Sequence, residues 1–237
     1  MPSNRRLMRL LKLFFPIFFP PDGMINPAQS PRLFLLGLMN TGPILELGPW
    51  IGRSTIYLAS ALKLKRSKVR LQSLDIHFSS RQAFEEYFNE NLDNTPAWRR
   101  ERYMRHLVKE EGTLTSLKEN LAERGLSNYV DCLKGYFEHY DFGSTQFSMV
   151  FCDITHDLAE VEKNIPKIKT LLLSDYILVC DDIRYEDMYH RLIEIISPEL
   201  ALYEGHMLFC AHGKKSVSAL KRISWKMMSP NVKFSGD

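Results

Sequence analysis

The stretch that most restricts the fold of this chain is residues 44–55, which read ILELGPWIGRST. A short apolar run enters Gly48, a second glycine follows at Gly52, and Ile56, Leu58, Ala59 and Leu62 then recur on one helical face. Strand, turn and helix therefore follow one another with no linker between them. Gly48 and Gly52 let the backbone approach a ligand without Cβ collisions. The helix opening near Gly52 directs free N–H groups at an anionic group, with the Ser54 hydroxyl in its first turn.

The rest of the chain extends this unit. Residues 69–75, 129–133, 147–153 and 176–181 read as strands, with helical stretches at 53–63, 113–124 and 158–172. Upstream, Asn26-Pro27 or Ser30-Pro31 can start a helix that ends near Asn40. After a helix around 188–196, strands at 201–203 and 207–211 are separated only by Glu204, Gly205 and His206, which demands an antiparallel hairpin. The prediction is an α/β fold: a mostly parallel, doubly wound, seven-stranded sheet ending in that hairpin. Residues 76–112 are too long for an ordinary connection and, with Phe78, Phe84, Tyr87, Phe88, Trp98, Tyr103 and Met104 among many charges, read as a helical insertion after the second strand. The expected division is an amphipathic arm over 1–22, one domain over 23–212 and a C-terminal tail over 213–237.

A formal charge of +3 on 237 residues lacks the footprint of a dedicated nucleic-acid binder, so no nucleic-acid partner is expected. Cys132, Cys152, Cys180 and Cys210 sit inside apolar runs with no C-x-x-C pairing, as reduced core thiols do, which fits a cytoplasmic setting. The arm begins like a signal peptide at Arg5-Arg6, but Arg9, Lys12, Pro16, Pro20 and Pro21 interrupt it. It is suited to packing on its own domain, to a second copy of the chain, or to a peripheral membrane contact.

Asp75, at the end of the second strand, stands where a carboxylate accepts hydrogen bonds from ribose hydroxyls. The G-x-x-x-G spacing is not the G-x-G-x-x-G of dinucleotide enzymes, and no G-K-S/T phosphate loop occurs. Taken in order, GMINPA at 23–28, ILELGPWIGRST at 44–55, LDIH at 74–77, DITH at 153–156 and LVCDD at 178–182 resemble the class I S-adenosylmethionine (SAM) dependent methyltransferases. The resemblance is to the Methyltransferase domain 24 group in particular and more distantly to catechol-type O-methyltransferases, and it spans residues 23–211. It implies a Rossmann-like class I methyltransferase fold and SAM as cofactor. It further implies that Glu46 supports the turn and the methionine amino group, that Ser54 faces its carboxylate, that Trp50 lies beside the cofactor, and that Gly135, Tyr136 and Phe137 border the adenine.

For chemistry, methyl transfer requires alignment of the acceptor and, for a hydroxyl, help with its proton. Asp153, Asp181 and Asp182 end adjacent predicted strands and together could hold Mg²⁺ or another divalent cation, like the metal-binding carboxylates of catechol-type enzymes. Asp153 alternatively faces the cofactor, with Asp182 capping the next helix. His156 is the candidate general base. The basic run Arg99, Arg100, Arg102, Arg105 and His106 is either a solvated helix face or a site for an anionic acceptor. The expected activity is O-methylation of a small-molecule acceptor. A SAM-binding protein without catalysis and a Rossmann-type nucleotide-dependent oxidoreductase stay open as rivals.

Overall fold

The computed structural model describes residues 23, 25 and 29–223. The arm at 1–22, the Asn26-Pro27 helix start and the chain beyond 223 lie outside the described residues. The seven strands are β1 (Ile44–Leu47), β2 (Leu71–Asp75), β3 (Val130–Lys134), β4 (Phe147–Cys152), β5 (Leu172–Cys180), β6 (Leu200–Glu204) and β7 (Met207–His212). They form one sheet in the order β3-β2-β1-β4-β5-β7-β6. Pairs among the first five strands are parallel, and β7 runs antiparallel to both β5 and β6.

Strand alternation sorts the side chains into two cores. Ile44, Met149, Phe151, Ile177 and Phe209 meet helices α1 (Ser30–Met39), α2 (Arg53–Leu64) and α5 (Thr113–Glu123) on one face. Leu45, Val150, Cys152, Leu178 and Cys210 meet α6 (Leu158–Leu171) and α7 (Glu186–Ile196) on the other. The cysteines are free, as the apolar setting of each implied. Residues 76–112 do form a helical layer, with α3 (Arg81–Phe88) and α4 (Ala97–Leu107). Phe78, Phe84, Leu92, Tyr103 and Leu107 give it a small core of its own, against which Trp50 packs.

Two boundaries differ from expectation by more than two residues. Strand β5 begins at Leu172 rather than Tyr176, because its pairing with β4 carries an irregularity between Phe147 and Met149 that lets Leu172 join the sheet early. Residues 214–223 are not tail but an eighth described α-helix, α8 (Lys214–Ile223), whose Leu220 and Ile223 enter the first core. Its first turn is held by Asp175, whose carboxylate accepts from the Ser216 amide at 2.9 Å and the Lys215 amide at 3.2 Å. No described helix is long and apolar enough to cross a membrane.

Candidate active site at the carboxyl edge of the sheet

Strand order reverses between β1 and β4, and in open α/β sheets ligands occupy the crevice at the carboxyl ends of the strands there. A cavity of about 570 Å³ opens at this edge. That volume is in the range of small-molecule sites. Gly48, Trp50 and Ser54 line it from the β1–α2 turn, Asp75 from β2, Gly135, Tyr136 and Phe137 from the loop after β3, and Asp153, His156 and Asp182 from the ends of β4 and β5.

The turn is built as its sequence requires. Gly48 has φ +83°, its amide donates to the Leu74 carbonyl at 3.0 Å, and a Cβ there would run into the Asp153 carbonyl. Trp50 also takes a left-handed conformation, φ 53°, and its amide donates to Asp75 Oδ2 at 3.2 Å while the Ile76 amide donates to Oδ1 at 2.7 Å. Burial raises the Asp75 carboxyl to about 6, against the opposing pull of these backbone bonds. Gly52 sits at the start of α2, φ +99°, but does not line the cavity.

Glu46 does not line it either. It is fully buried behind the turn, accepts from the Ser73 hydroxyl at 2.6 Å, and leaves Oε1 without a hydrogen-bond partner. Burial raises its carboxyl above the usual range. Glu46 can therefore stiffen the floor of the turn, whereas contact with a methionine amino group would need a path the present packing does not open.

At the other end the expected carboxylate triad is corrected. Asp153, His156 and Asp182 offer ligand atoms that all lie within 4.8 Å of one another, and Asp181 is not among them. Consecutive residues leaving a strand point opposite ways. Asp181, only 7% exposed, turns back so that Oδ1 accepts from the Asp182 amide at 3.0 Å, and Asp182, with φ 59°, reverses the chain toward the cavity. Asp181 still acts through its charge. Burial raises the Asp153 carboxyl well above its usual range, and Asp181 and then Asp182 add to the rise. Asp182 does not cap α7; its Oδ1 accepts from Arg184 Nη2 at 2.8 Å and Nε at 3.2 Å.

His156 has a partner that the sequence reading missed. Glu160 Oε2 lies 2.9 Å from His156 Nδ1 and also accepts the His156 amide at 2.6 Å. The hydrogen bond to Glu160 raises the imidazole pKa despite burial. Glu160 is placed by the helix start itself, since Asp157 caps α6 by accepting the Glu160 amide at 2.8 Å. The i, i+4 spacing of His156 and Glu160 was the available signal.

The basic run on α4 does not reach the cavity. Arg99 pairs with Glu90 at 3.2 Å, Arg100 with Asp93 at 3.5 Å, and His106 Nδ1 lies 2.9 Å from the Ser116 hydroxyl. Arg102 Nη2 donates to the Gly23 carbonyl at 2.7 Å, and Arg53 of α2 donates to the Ile25 carbonyl. Both Gly23 and Ile25 line the cavity, so these two residues form part of its wall. The mouth is aromatic: of the seven large apolar side chains exposed among the described residues, Tyr87, Phe88, Tyr136 and Tyr185 all border it.

A family model described as "Methyltransferase domain" matches residues 45–183, more than half of the chain. No curated protein matches it in sequence. Among solved structures, the O-methyltransferase from Bacillus cereus in complex with S-adenosylhomocysteine is 17% identical, with a TM-score of 0.52 over 90% of this chain and 93% of that one. The O-methyltransferase of tomaymycin synthesis from Streptomyces achromogenes, in complex with SAM, is 19% identical, with a TM-score of 0.51 over 89% and 91%. These two likenesses concern the fold. With the sheet order and the glycine turn as found, the family match establishes that this chain belongs to the methyltransferase-domain family of class I SAM-dependent methyltransferases.

Proposed function

We propose that this chain transfers the methyl group of SAM to a hydroxyl of a small molecule, with a divalent cation assisting at the acceptor end. The observation that carries this reading is the convergence, in one cavity, of Asp75 and the Gly48–Trp50 turn at one end with Asp153, His156 and Asp182 at the other. Bound SAM supplies an electrophilic methyl group on a sulfonium. The chain's own share is to hold the nucleoside, align the acceptor and manage its proton.

Asp75 retains lone pairs beyond those taken by the Trp50 and Ile76 amides, and these suit ribose hydroxyls. The donors of the first turn of α2, with Ser54, suit a carboxylate. The acceptor enters past Tyr87, Phe88, Tyr136 and Tyr185, a rim suited to a small molecule with an apolar or planar part. Two devices bear on its proton: the His156 imidazole as a base, and the carboxylates of Asp153 and Asp182, whose donor set fits a hard or borderline cation. A cation held there would lower the pKa of a neighbouring hydroxyl.

The test is a thermal-shift panel of SAM, S-adenosylhomocysteine, NAD and ATP, each with and without a divalent salt, because a ligand of the native state raises the midpoint. A shift with SAM and S-adenosylhomocysteine but not NAD is expected. The reverse pattern removes methyl transfer in favour of an oxidoreductase. Labelled methyl transfer to a metabolite pool then separates an active enzyme from a SAM-binding protein without catalysis.

A further inference from the structure

We infer that the cation of this site is a first-row transition ion of the Mn²⁺-to-Zn²⁺ series, held in preference to Mg²⁺ by Asp153, His156 and Asp182, with Glu160 as the residue that aims His156. The inference rests on the methyltransferase reading above but concerns only which ion binds and through which residues.

Three observations lead to it. The convergent set is two carboxylates and an imidazole, not three carboxylates, because the ligand atoms within 4.8 Å of one another come from Asp153, His156 and Asp182, while Asp181 is turned to the Asp182 amide. Carboxylate oxygens alone suit Mg²⁺ and Ca²⁺, whereas an imidazole nitrogen shifts a site toward borderline ions. Next, the donors are still available. Asp153 accepts no hydrogen bond from the described residues although it is half-buried, and Asp182 has only Oδ1 engaged, by Arg184. Three donors at about 2.1 Å from one ion stand about 3.0–3.6 Å apart, so the present spread of up to 4.8 Å closes with side-chain shifts of about 1 Å.

The third observation is Glu160. A metal-binding histidine usually gives its other ring N–H to a carboxylate, which fixes the tautomer and raises the basicity of the ligand nitrogen. Glu160 Oε2 stands 2.9 Å from Nδ1, which leaves Nε2 as the nitrogen for the ion. The same oxygen takes the His156 amide, so ring and backbone are fixed together by the capped first turn of α6. With Nε2 given to an ion and Nδ1 to Glu160, His156 has no position left from which to accept the acceptor's proton. It is then a ligand, and the cation is the device that acidifies the hydroxyl.

The experiment uses the full-length chain stripped with chelator and titrated with Mn²⁺, bound and free ion being separated by electron paramagnetic resonance, with Mg²⁺ as competitor. One Mn²⁺ per chain is expected, displaced only by Mg²⁺ at tenfold or higher excess. His156→Ala should weaken Mn²⁺ at least tenfold and narrow the preference over Mg²⁺. Glu160→Ala should weaken Mn²⁺ roughly 10- to 100-fold, with Glu160→Gln between it and the unaltered chain. Asp181→Asn, which keeps an acceptor for the Asp182 amide, should change it less than fivefold.

Equal affinity for Mn²⁺ and Mg²⁺, or loss on Asp181→Asn with none on His156→Ala, overturns the assignment in favour of an all-carboxylate site. Absence of Mn²⁺ binding overturns it outright. In each variant a retained midpoint shift with S-adenosylhomocysteine certifies the fold. The methyltransferase reading itself falls only if that shift is missing from the unaltered chain.

Discussion

Gly48→Ala puts one methyl group where the two halves of the site touch. The added Cβ would collide with the Asp153 carbonyl oxygen and stand 3.0 Å from its carbon and 3.1 Å from Ile154 Cγ2. Neither backbone can retreat cheaply. Gly48 is tied to Leu74 at 3.0 Å, and the Asp153 amide to Leu47 at 2.9 Å. A left-handed conformation costs an L-residue about 1–2 kcal/mol, and overpacking a pinned contact adds about 1–3 kcal/mol. A loss of roughly 2–5 kcal/mol follows, or about 5–15 °C in the midpoint for a chain of this size.

Gly143→Ala is the control. That glycine has φ +58° with nothing within 4 Å of its would-be Cβ, so only the conformational cost of about 1–2 kcal/mol applies. Thermal melts of both variants, with S-adenosylhomocysteine affinity measured alongside, isolate the collision. Displacement of Asp153 should also weaken the ligand in Gly48→Ala and not in Gly143→Ala. If the two midpoints fall equally, the close approach of turn and Asp153 loop is not what Gly48 is for.

Two further predictions use other parts of the fold. Asp75→Asn should weaken S-adenosylhomocysteine by roughly 1–3 kcal/mol in calorimetry, through ribose hydroxyls left poorly paired. Because burial raises Asp75 from 3.8 to about 6, the folded chain holds this proton more tightly than the unfolded one. The cost of ionising it is absent below about pH 4 and grows as pH rises through 6, so without ligand Asp75→Asn should gain on the order of 1–3 kcal/mol relative to the unaltered chain between pH 4 and 8. A pH-independent difference in urea midpoints would contradict this. Leu220→Ala, at a fully buried position of α8, should cost about 2–5 kcal/mol in denaturant unfolding, and a loss under 1 kcal/mol would return residues 214–223 to the status of a tail.

The strands and the glycine turn were legible because local rules govern them. An apolar run entering Gly48, a helix start at Arg53 and a carboxylate ending the next strand are all fixed within a few residues. What was illegible depends on direction or on distant partners. Asp181 and Asp182 are equivalent as letters, and only the backbone reversal at Asp182 decides which one faces the cavity. Likewise the basic face of α4 looks available until Glu90 and Asp93, several residues upstream, fold back on it. Asp175 in turn serves α8, a helix almost forty residues further on, and nothing near it in the chain announces that role.

The strap at Gly23 and Ile25 has a consequence for how the chain is handled. Arg53 belongs to the helix that opens on the glycine turn and Arg102 to the insertion opposite, and both grip the same few residues. Those residues act as a stitch between two lips of one opening. A shortened chain beginning at Ser30 would keep every strand yet leave the lips unsewn, so ligand work calls for a chain that begins upstream of Gly23.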